Sequence, residues 1–265
     1  MSLLRQALAR FGMGGAKVDA VLDTENLVPG EPVDVSVEIT GGSVEQQIDN
    51  IHIALCCQYM AHVRVRDSGE QGDKYRWEKQ TYKLTSWTLQ EAFTIKPSEQ
   101  RRFSVVLVLP FNTPVTVGKA KVWLDTQLDV SLAIDPSDRD ILTVKPDCLM
   151  EQVFLAVEDM GLRLQRAKCE EVKGFNLPFA QEFEFEPVAG RYVGKWKELE
   201  LVAWRDENGL KLWFEIDRKL SGVGGMLMGM LGAGELKREL YIASGTPAAD
   251  IRNQVQVFLD QSSEA

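Results

Sequence analysis

Five aspartates lie close together near the middle of the chain, and their carboxylates are the side chains best suited to hold a metal ion. They are Asp125, Asp129, Asp135, Asp138 and Asp140. Calcium binds where several hard oxygens converge, but segment 134–140 lacks the ligand spacing, the glycine and the closing glutamate of an EF-hand loop. Aspartates in turns also accept hydrogen bonds from their own backbone. Turn chemistry and metal binding both stay open, and no residue is assigned as a metal ligand.

The chain has only two histidines, and both lie in one long alternating stretch with a cysteine. His52 and Cys56 share a strand face with His62, and His52 and Cys56 are four residues apart. At roughly 3.3 Å per residue, that spacing is about 13 Å along a strand. Metal–ligand bonds of about 2 Å cannot bring both side chains to one ion. We expect these side chains to fill a strand face.

Motifs of nucleophilic and phosphate chemistry are missing from the sequence. There is no G-x-S-x-G elbow, no G-x-G-x-x-G loop and no P-loop, because the glycine-rich segment lacks the lysine and hydroxyl residue that a phosphate cradle requires. We therefore predict a protein that is not an enzyme, with no catalytic residue and no cofactor. A cleft with two convergent carboxylates would favour an enzyme instead.

Segment 222–236 mixes glycines with methionines and leucines. Each glycine costs a helix about 1 kcal/mol relative to alanine, so a stable isolated helix is not expected. Methionine adapts to varied partners, which makes this segment a candidate contact surface. Its candidate contact residues are Met226, Leu227, Met228, Met230 and Leu231. The alternatives are a loop that touches a partner or a membrane, and a loop or helix that packs within its own domain.

Residues 2–11 have the apolar spacing of an amphipathic helix. Packing against the first domain and contact with a partner or membrane are both open for this helix. With two arginines and one short apolar face, it is not expected to anchor the chain in a membrane by itself.

From residue 17 onward, apolar residues alternate with polar ones, which predicts strands. A long hairpin is predicted from 51–66 and 75–85, with a bulge or bend inside 51–66. The other predicted strands are 33–39, 91–96, 101–109, 117–125, 127–134, 140–145, 179–187, 197–204, 210–217 and 237–243. Helices are predicted at 148–160, closed by Gly161, and after Thr246-Pro247.

Many short strands separated by turns predict an all-β protein made of sandwiches. The helix at 148–160 divides the strands into two sets, which predicts two tandem domains with short flanking helices. The predicted bounds are 1–145 and 146–245, followed by a C-terminal helix and tail at 246–265.

Composition restricts the partners and the compartment. Lysine and arginine number 30 against 39 aspartates and glutamates, so the net charge is −9, and no basic run exceeds two residues. An acidic chain of this kind is repelled by phosphate backbones, so nucleic acid is excluded as a partner. The four cysteines form no C-x-x-C motif, which favours reduced thiols and a cytoplasmic location. Segment 222–236 is too short to span a bilayer.

Several stretches, read together, resemble the sporulation-control protein M family, a bacterial branch of the arrestin-like superfamily. The opening AKVDAVLDTENLVPGEPVDVSVEITGG and the run FTIKPSEQRRFSVVLVLPFNTPVTVGKAKVWLDTQLDV resemble arrestin-like strands in general. LPFAQEFEFEP is more particular to the sporulation-control branch. The stretches that carry the resemblance are 16–42, 93–130, 134–140, 177–187 and 194–202.

The resemblance implies two arrestin-like β-sandwich domains joined by a short hinge, without catalytic residues. It adds a third interpretation of the aspartates, because arrestin-like proteins bury charged pairs between their domains. It also implies a regulatory adaptor that binds one or more protein partners. The alternative is a self-assembling structural scaffold, a homo-oligomer associated with cytoskeletal or membrane-proximal elements. Membrane contact is expected to be peripheral at most.

Overall fold

The computed structural model describes residues 14–65, 74–218 and 238–264. The predicted helix at 2–11 and the methionine-containing segment 222–236 lie outside these residues. Most of the described chain is strand, and two α-helices follow the midpoint of the sequence. The helices are α1 (Cys148–Asp159) and α2 (Ala248–Glu264), with a short 3-10 helix at Gly190–Tyr192.

Thirteen strands are found in the described residues. They are β1 (Lys17–Leu22), β2 (Pro32–Thr40), β3 (Gln46–Val65), β4 (Lys74–Leu89), β5 (Phe93–Ile95), β6 (Gln100–Val108), β7 (Val122–Val130), β8 (Ser137–Leu142), β9 (Leu162–Glu171), β10 (Phe179–Pro187), β11 (Trp196–Arg205), β12 (Gly209–Arg218) and β13 (Glu239–Ala243). The long hairpin is confirmed, because β4 pairs with β3.

The sequence predictions of local structure differ from the structure at two places. The strands expected at 117–125 and 127–134 are one strand, β7, and residues after Val130 form a turn. The pairing of β3 with β7 shifts register between Ile48 and Asn50, and the bulge or bend expected inside 51–66 stays a prediction. Strand β9 was not predicted, because a register shift opposite Glu184 and Phe185 breaks its alternation.

The described residues divide into two compact units. The first holds those within Met1–Cys57, Tyr82–Thr113 and Lys121–Lys145, and the second holds those within Gln58–Thr81, Pro114–Ala120 and Pro146–Ala265. The domain bounds given by the sequence stay a prediction.

The first unit contains a three-stranded antiparallel sheet in the order β1-β2-β6. In the same unit the first part of β3 pairs with β5 and β7, and β7 pairs with β8. Strand β1, at one edge of this sheet, lies close to β7 and β8 of the other sheet. The alternating residues Val35, Val37 and Ile39 of β2 are buried, as are Ile51 and Ile53 of β3.

The second unit is an antiparallel sheet in the order β9-β10-β11-β12-β13, with α1 and α2 packed together on one face. The core contains Phe183 and Phe185 from the sheet with Val153, Val157 and Val255 from the helices. Asp147 caps α1 by accepting a hydrogen bond from the Met150 backbone nitrogen at 2.9 Å. The predicted stop of this helix at Gly161 is confirmed by a φ of +84°, which favours glycine.

Candidate functional site

The aspartates predicted as one cluster separate into distinct environments in the first unit. Asp135 accepts hydrogen bonds from the Val130 backbone nitrogen at 3.0 Å and from Gln127 Nε2 at 3.1 Å. Asp129 accepts one from Asn50 Nδ2 at 3.3 Å. Both carboxylates therefore hold the strand and turn around them, which is the chemistry expected of turn aspartates.

Asp125 belongs to an aromatic and ionic group on the hairpin of β7 and β8. Arg139 donates from Nε to Asp125 Oδ1 at 2.6 Å and from a terminal nitrogen to Oδ2 at 3.1 Å. Trp123 Nε1 also donates to Asp125 Oδ2 at 2.9 Å, and the Arg139 guanidinium lies 4.9 Å from the Trp123 ring centroid. This bidentate pair is largely exposed, so its contribution to stability is small.

Asp138 and Asp140 lie instead beside a third carboxylate that the sequence did not suggest. Asp19 of β1 meets them with ligand oxygens that all lie within 4.8 Å of one another. Partial burial, followed by the charge of Asp138, raises the pKa of Asp140 to about 6. Burial and Asp138 also raise the pKa of Asp19. No local pattern could have indicated Asp19, because only sheet packing brings β1 next to β8.

Three carboxylate oxygens at this spacing could hold a hard cation such as calcium. All three side chains are at least partly exposed, and exposed acidic groups are common without an ion. Burial, and after it the charges of the neighbouring carboxylates, raises the pKa of Asp19 and of Asp140. The group of Asp19, Asp138 and Asp140 is therefore a candidate metal site. Its geometry alone does not assign a metal to it. The third interpretation, in which these aspartates form charged pairs between the domains, stays a prediction.

The histidines and Cys56 have separate surroundings. His52 Nδ1 lies 3.1 Å from the Thr88 hydroxyl, and Cys56 is a buried free thiol. On the neighbouring strand, the Tyr75 ring stacks on the His62 ring with a centroid distance of 4.8 Å, and the Trp77 ring lies tilted against it at 5.0 Å. The exposed aromatic residues of β4 were not singled out from the sequence.

A charged cluster lies on the face of the second unit's sheet opposite the helices. Lys168 Nζ lies 2.9 Å from Glu182 Oε1 and 2.9 Å from Glu184 Oε1, and 3.8 Å from Glu170. Burial alone would lower the pKa of Lys168, but hydrogen bonds to Glu182 and Glu184 and the charges of Glu182 and Glu170 outweigh it, so this pKa is raised. Burial raises the pKa of Glu170, against the effect of Lys168. The cluster is a structural ion network.

Strand β6 presents the most apolar exposed strand surface of the first unit. Val106 and Val108 point outward with 59% and 52% of their surface exposed. Among the described strands, β6 pairs only with β2. The predicted contact residues Met226, Leu227, Met228, Met230 and Leu231 lie outside the described residues, so β6 is the contact candidate that the described part of the chain offers.

The family model described as "SpoOM protein" (Spo0M) matches residues 4–220. The sporulation-control protein spo0M of Bacillus subtilis (strain 168) is 39% identical over 268 residues, which cover the whole of both chains. This chain belongs to the Spo0M family.

The crystal structure of Spo0M, a sporulation control protein from Bacillus subtilis, superposes with a TM-score of 0.79. The sequences are 34% identical in that superposition, which covers 95% of this chain and 98% of the crystallised Spo0M chain. The all-β, arrestin-like fold class and the family resemblance inferred from the sequence are both confirmed. None of the helices that the structure describes is long and apolar enough to cross a membrane.

Proposed function

We propose that this member of the Spo0M family is a non-catalytic regulatory adaptor that acts by binding another protein. The observation that carries the proposal is full-length similarity to a Bacillus subtilis protein named for sporulation control. Fold similarity alone is a weak basis for function, but here the similarity extends over both units of the chain.

The use of charged side chains in the described residues supports a binding role. Asp147 caps a helix and pairs with Arg205, while Lys168 serves an ion network within a sheet. Charged groups engaged in fold-stabilising contacts are not positioned as acids, bases or nucleophiles for a substrate.

A cytoplasmic location is part of the proposal. Cys56, Cys57 and Cys169 are buried free thiols, and Cys148 is an exposed one. Free cysteines are typical of proteins in reducing compartments.

Crosslinking capture from native cytosol, followed by mass spectrometry, tests the proposal. The bait is the full chain, compared with a variant in which Met226, Met228 and Met230 are changed to serine. A matched control changes the exposed residues Val188 and Val193 to serine. We expect a discrete partner set that the full chain and the control capture and the methionine variant loses.

The same experiment distinguishes the alternative. If the chain recovers only copies of itself, and light scattering shows assembly that grows with concentration, the self-assembling scaffold replaces the adaptor. A partner set that all three baits capture equally would keep the adaptor and remove the methionine segment as its contact surface.

A further inference from the structure

The edge of β6 that faces away from β2 is not paired by any strand that the structure describes, and it has a definite set of outward backbone groups. Along a strand, successive residues direct their N–H and C=O groups to opposite sides. The Asp23 backbone nitrogen donates to the Asp34 oxygen at 3.1 Å, so Asp34 and its even-numbered neighbours in β2 face β1. The odd-numbered residues of β2 therefore face β6.

The register of β2 and β6 then identifies the groups on the open side. Asp34 lies opposite Val106 and Val33 lies opposite Leu107, so the odd-numbered residues of β6 bond to β2. The hydrogen bond from the Gly30 nitrogen to the Leu109 oxygen at 2.8 Å agrees with this assignment. The even-numbered residues direct their backbone groups away from β2, where no described strand pairs with them. They are Gln100, Arg102, Ser104, Val106 and Val108.

The side chains along this edge are apolar at one end and basic at the other. Val106 and Val108 are exposed, and the inward residues Phe103 and Val105 are only half-buried, as expected at an uncovered margin. At the other end, 61% of the Arg102 side chain is exposed. An exposed apolar edge strand of this kind readily accepts another strand.

Strand β2 is the neighbour that β6 already has, so its side chains indicate which residues an added strand would need. Opposite Arg102 it places Glu38, whose carboxylate lies 3.2 Å from the guanidinium. Opposite Ser104 it places Ser36. An antiparallel strand on the open side would meet the same row of side chains, so an acidic residue would complement Arg102 and apolar residues would cover the valines.

We propose that the free edge of β6, from Arg102 to Val108, binds an extended peptide segment of another protein as an added antiparallel strand. The segment has β-branched apolar residues opposite Val108 and Val106, and an acidic residue toward its C-terminal end opposite Arg102. Backbone hydrogen bonds supply affinity and the side-chain row supplies selectivity. This inference rests on the proposed adaptor function and names its binding surface and the chemistry of its partner.

The probe is a synthetic peptide with the sequence of residues 31–40 of this chain and the changes Pro32→Val and Asp34→Val, which place valines opposite Val108 and Val106. Hydrogen exchange of the isotope-labelled full chain is followed by NMR as this peptide is added. We expect exchange to slow by about tenfold or more at Ser104, Val106 and Val108. The N–H groups of Phe103 and Val105 already bond to β2 and are expected to change little. This alternation is specific to strand addition.

Val106→Pro tests the backbone contribution. Proline removes an N–H that points to the open side, and an edge strand tolerates proline at such a position. The variant is expected to lose binding about tenfold or more, while its Tm stays within about 3 °C of the parent. The matched control Val106→Thr keeps the N–H and the branched shape, so it should bind the peptide.

Reversal of the charges at Arg102 and at the peptide residue opposite it tests the proposal without the Val106→Pro variant. Arg102→Glu is expected to bind the peptide poorly and to recover binding when the peptide carries Glu38→Lys. Unchanged exchange at the even-numbered amides with about 1 mM peptide would overturn the proposal. Conversion of a full-chain dimer to a monomer by Val106→Pro would also overturn it, because the occupant would then be a second copy of this chain.

Cytosolic capture separates this inference from the proposed function. A partner set that the full chain and Val106→Pro capture equally would keep the adaptor and refute the β6 surface. If neither bait captures any other protein, the adaptor function itself fails.

Discussion

The ammonium nitrogen of Lys168 lies 2.9 Å from Oε1 of Glu182, a side chain that is completely buried in the second unit. A buried carboxylate loses its hydration, so the nearby ammonium offsets a large desolvation cost. We predict that Lys168→Met lowers the free energy of unfolding by about 3 kcal/mol, measured by urea denaturation.

Removal of the Glu182 charge should compensate in part for the loss of Lys168. The double variant Lys168→Met with Glu182→Gln is expected to recover part of the lost stability, because an amide costs less to bury than a charge. Lys197→Met is the matched control, since Lys197 is exposed where it pairs with Asp217, and this variant should lose much less stability than Lys168→Met. Equal losses in the two single variants would contradict the role given to burial.

Alternation predicted most strands because each one has a buried face and a more exposed face. In β2 the run from Val33 to Ile39 shows this pattern, and the structure places the strand there. Strand β9 was missed because its buried residues do not follow the alternation of a regular strand. Leu162 and Ala167 are both buried, although residues five positions apart would point to opposite faces of a regular strand. A bulge moves side chains to the other face, and sequence periodicity does not record it.

The candidate sites were less predictable than the strands. Asp138 and Asp140 were singled out because they are close in sequence, but their neighbour Asp19 is distant in sequence and is placed by packing between sheets. Likewise, the apolar run that contains Val106 predicted a strand, but only the strand order shows that β6 lies at an edge. Contacts between distant segments depend on topology, which local patterns do not encode.

The carboxylate of Asp140, which lies beside Asp19 and Asp138, should make stability depend on pH. The pKa of Asp140 is raised to about 6 in the folded protein from an ordinary value of 3.8. The folded state therefore holds this proton more tightly than the unfolded state, and stability falls as pH rises from about 4 to about 6. We predict that Asp140→Asn raises the free energy of unfolding by about 1 kcal/mol at pH 7, allowing for solvent screening.

Thermal unfolding of the parent and of Asp140→Asn across this pH range is the measurement. The difference in Tm should be largest above pH 6 and should vanish near pH 4, where both states hold the proton. Asp19→Asn should reproduce part of the gain, because it removes one of the neighbouring charges. An equal gain for Asp140→Asn at pH 4 and pH 7 would exclude charge repulsion as the cause.

Asp147 combines a helix cap with an ion pair. Its Oδ1 accepts from the Met150 nitrogen at 2.9 Å, and its Oδ2 accepts from Arg205 Nε at 2.8 Å, with both charged side chains mostly buried. We predict that Asp147→Asn costs about 3 kcal/mol, because it keeps a capping oxygen but removes the charge beside Arg205.

Asp147→Ala removes the cap as well and should cost about 1 kcal/mol more than Asp147→Asn. Chemical denaturation of the two variants separates the contributions of the charge and the cap. A smaller loss for the alanine variant than for the asparagine variant would contradict the capping role.

Gly161 ends α1 in a conformation that other residues adopt at a cost. Its φ is +84°, and a Cβ at this position would collide with the carbonyl oxygen of Ala189. Gly194 has a similar φ of +81°, but nothing lies within 4 Å of the position a Cβ would take. We predict that Gly194→Ala costs about 1 kcal/mol through backbone strain alone, and that Gly161→Ala costs about 3 kcal/mol because close contact is added. Urea denaturation of both variants gives the comparison, and equal losses would show that the backbone near Ala189 moves aside to make room.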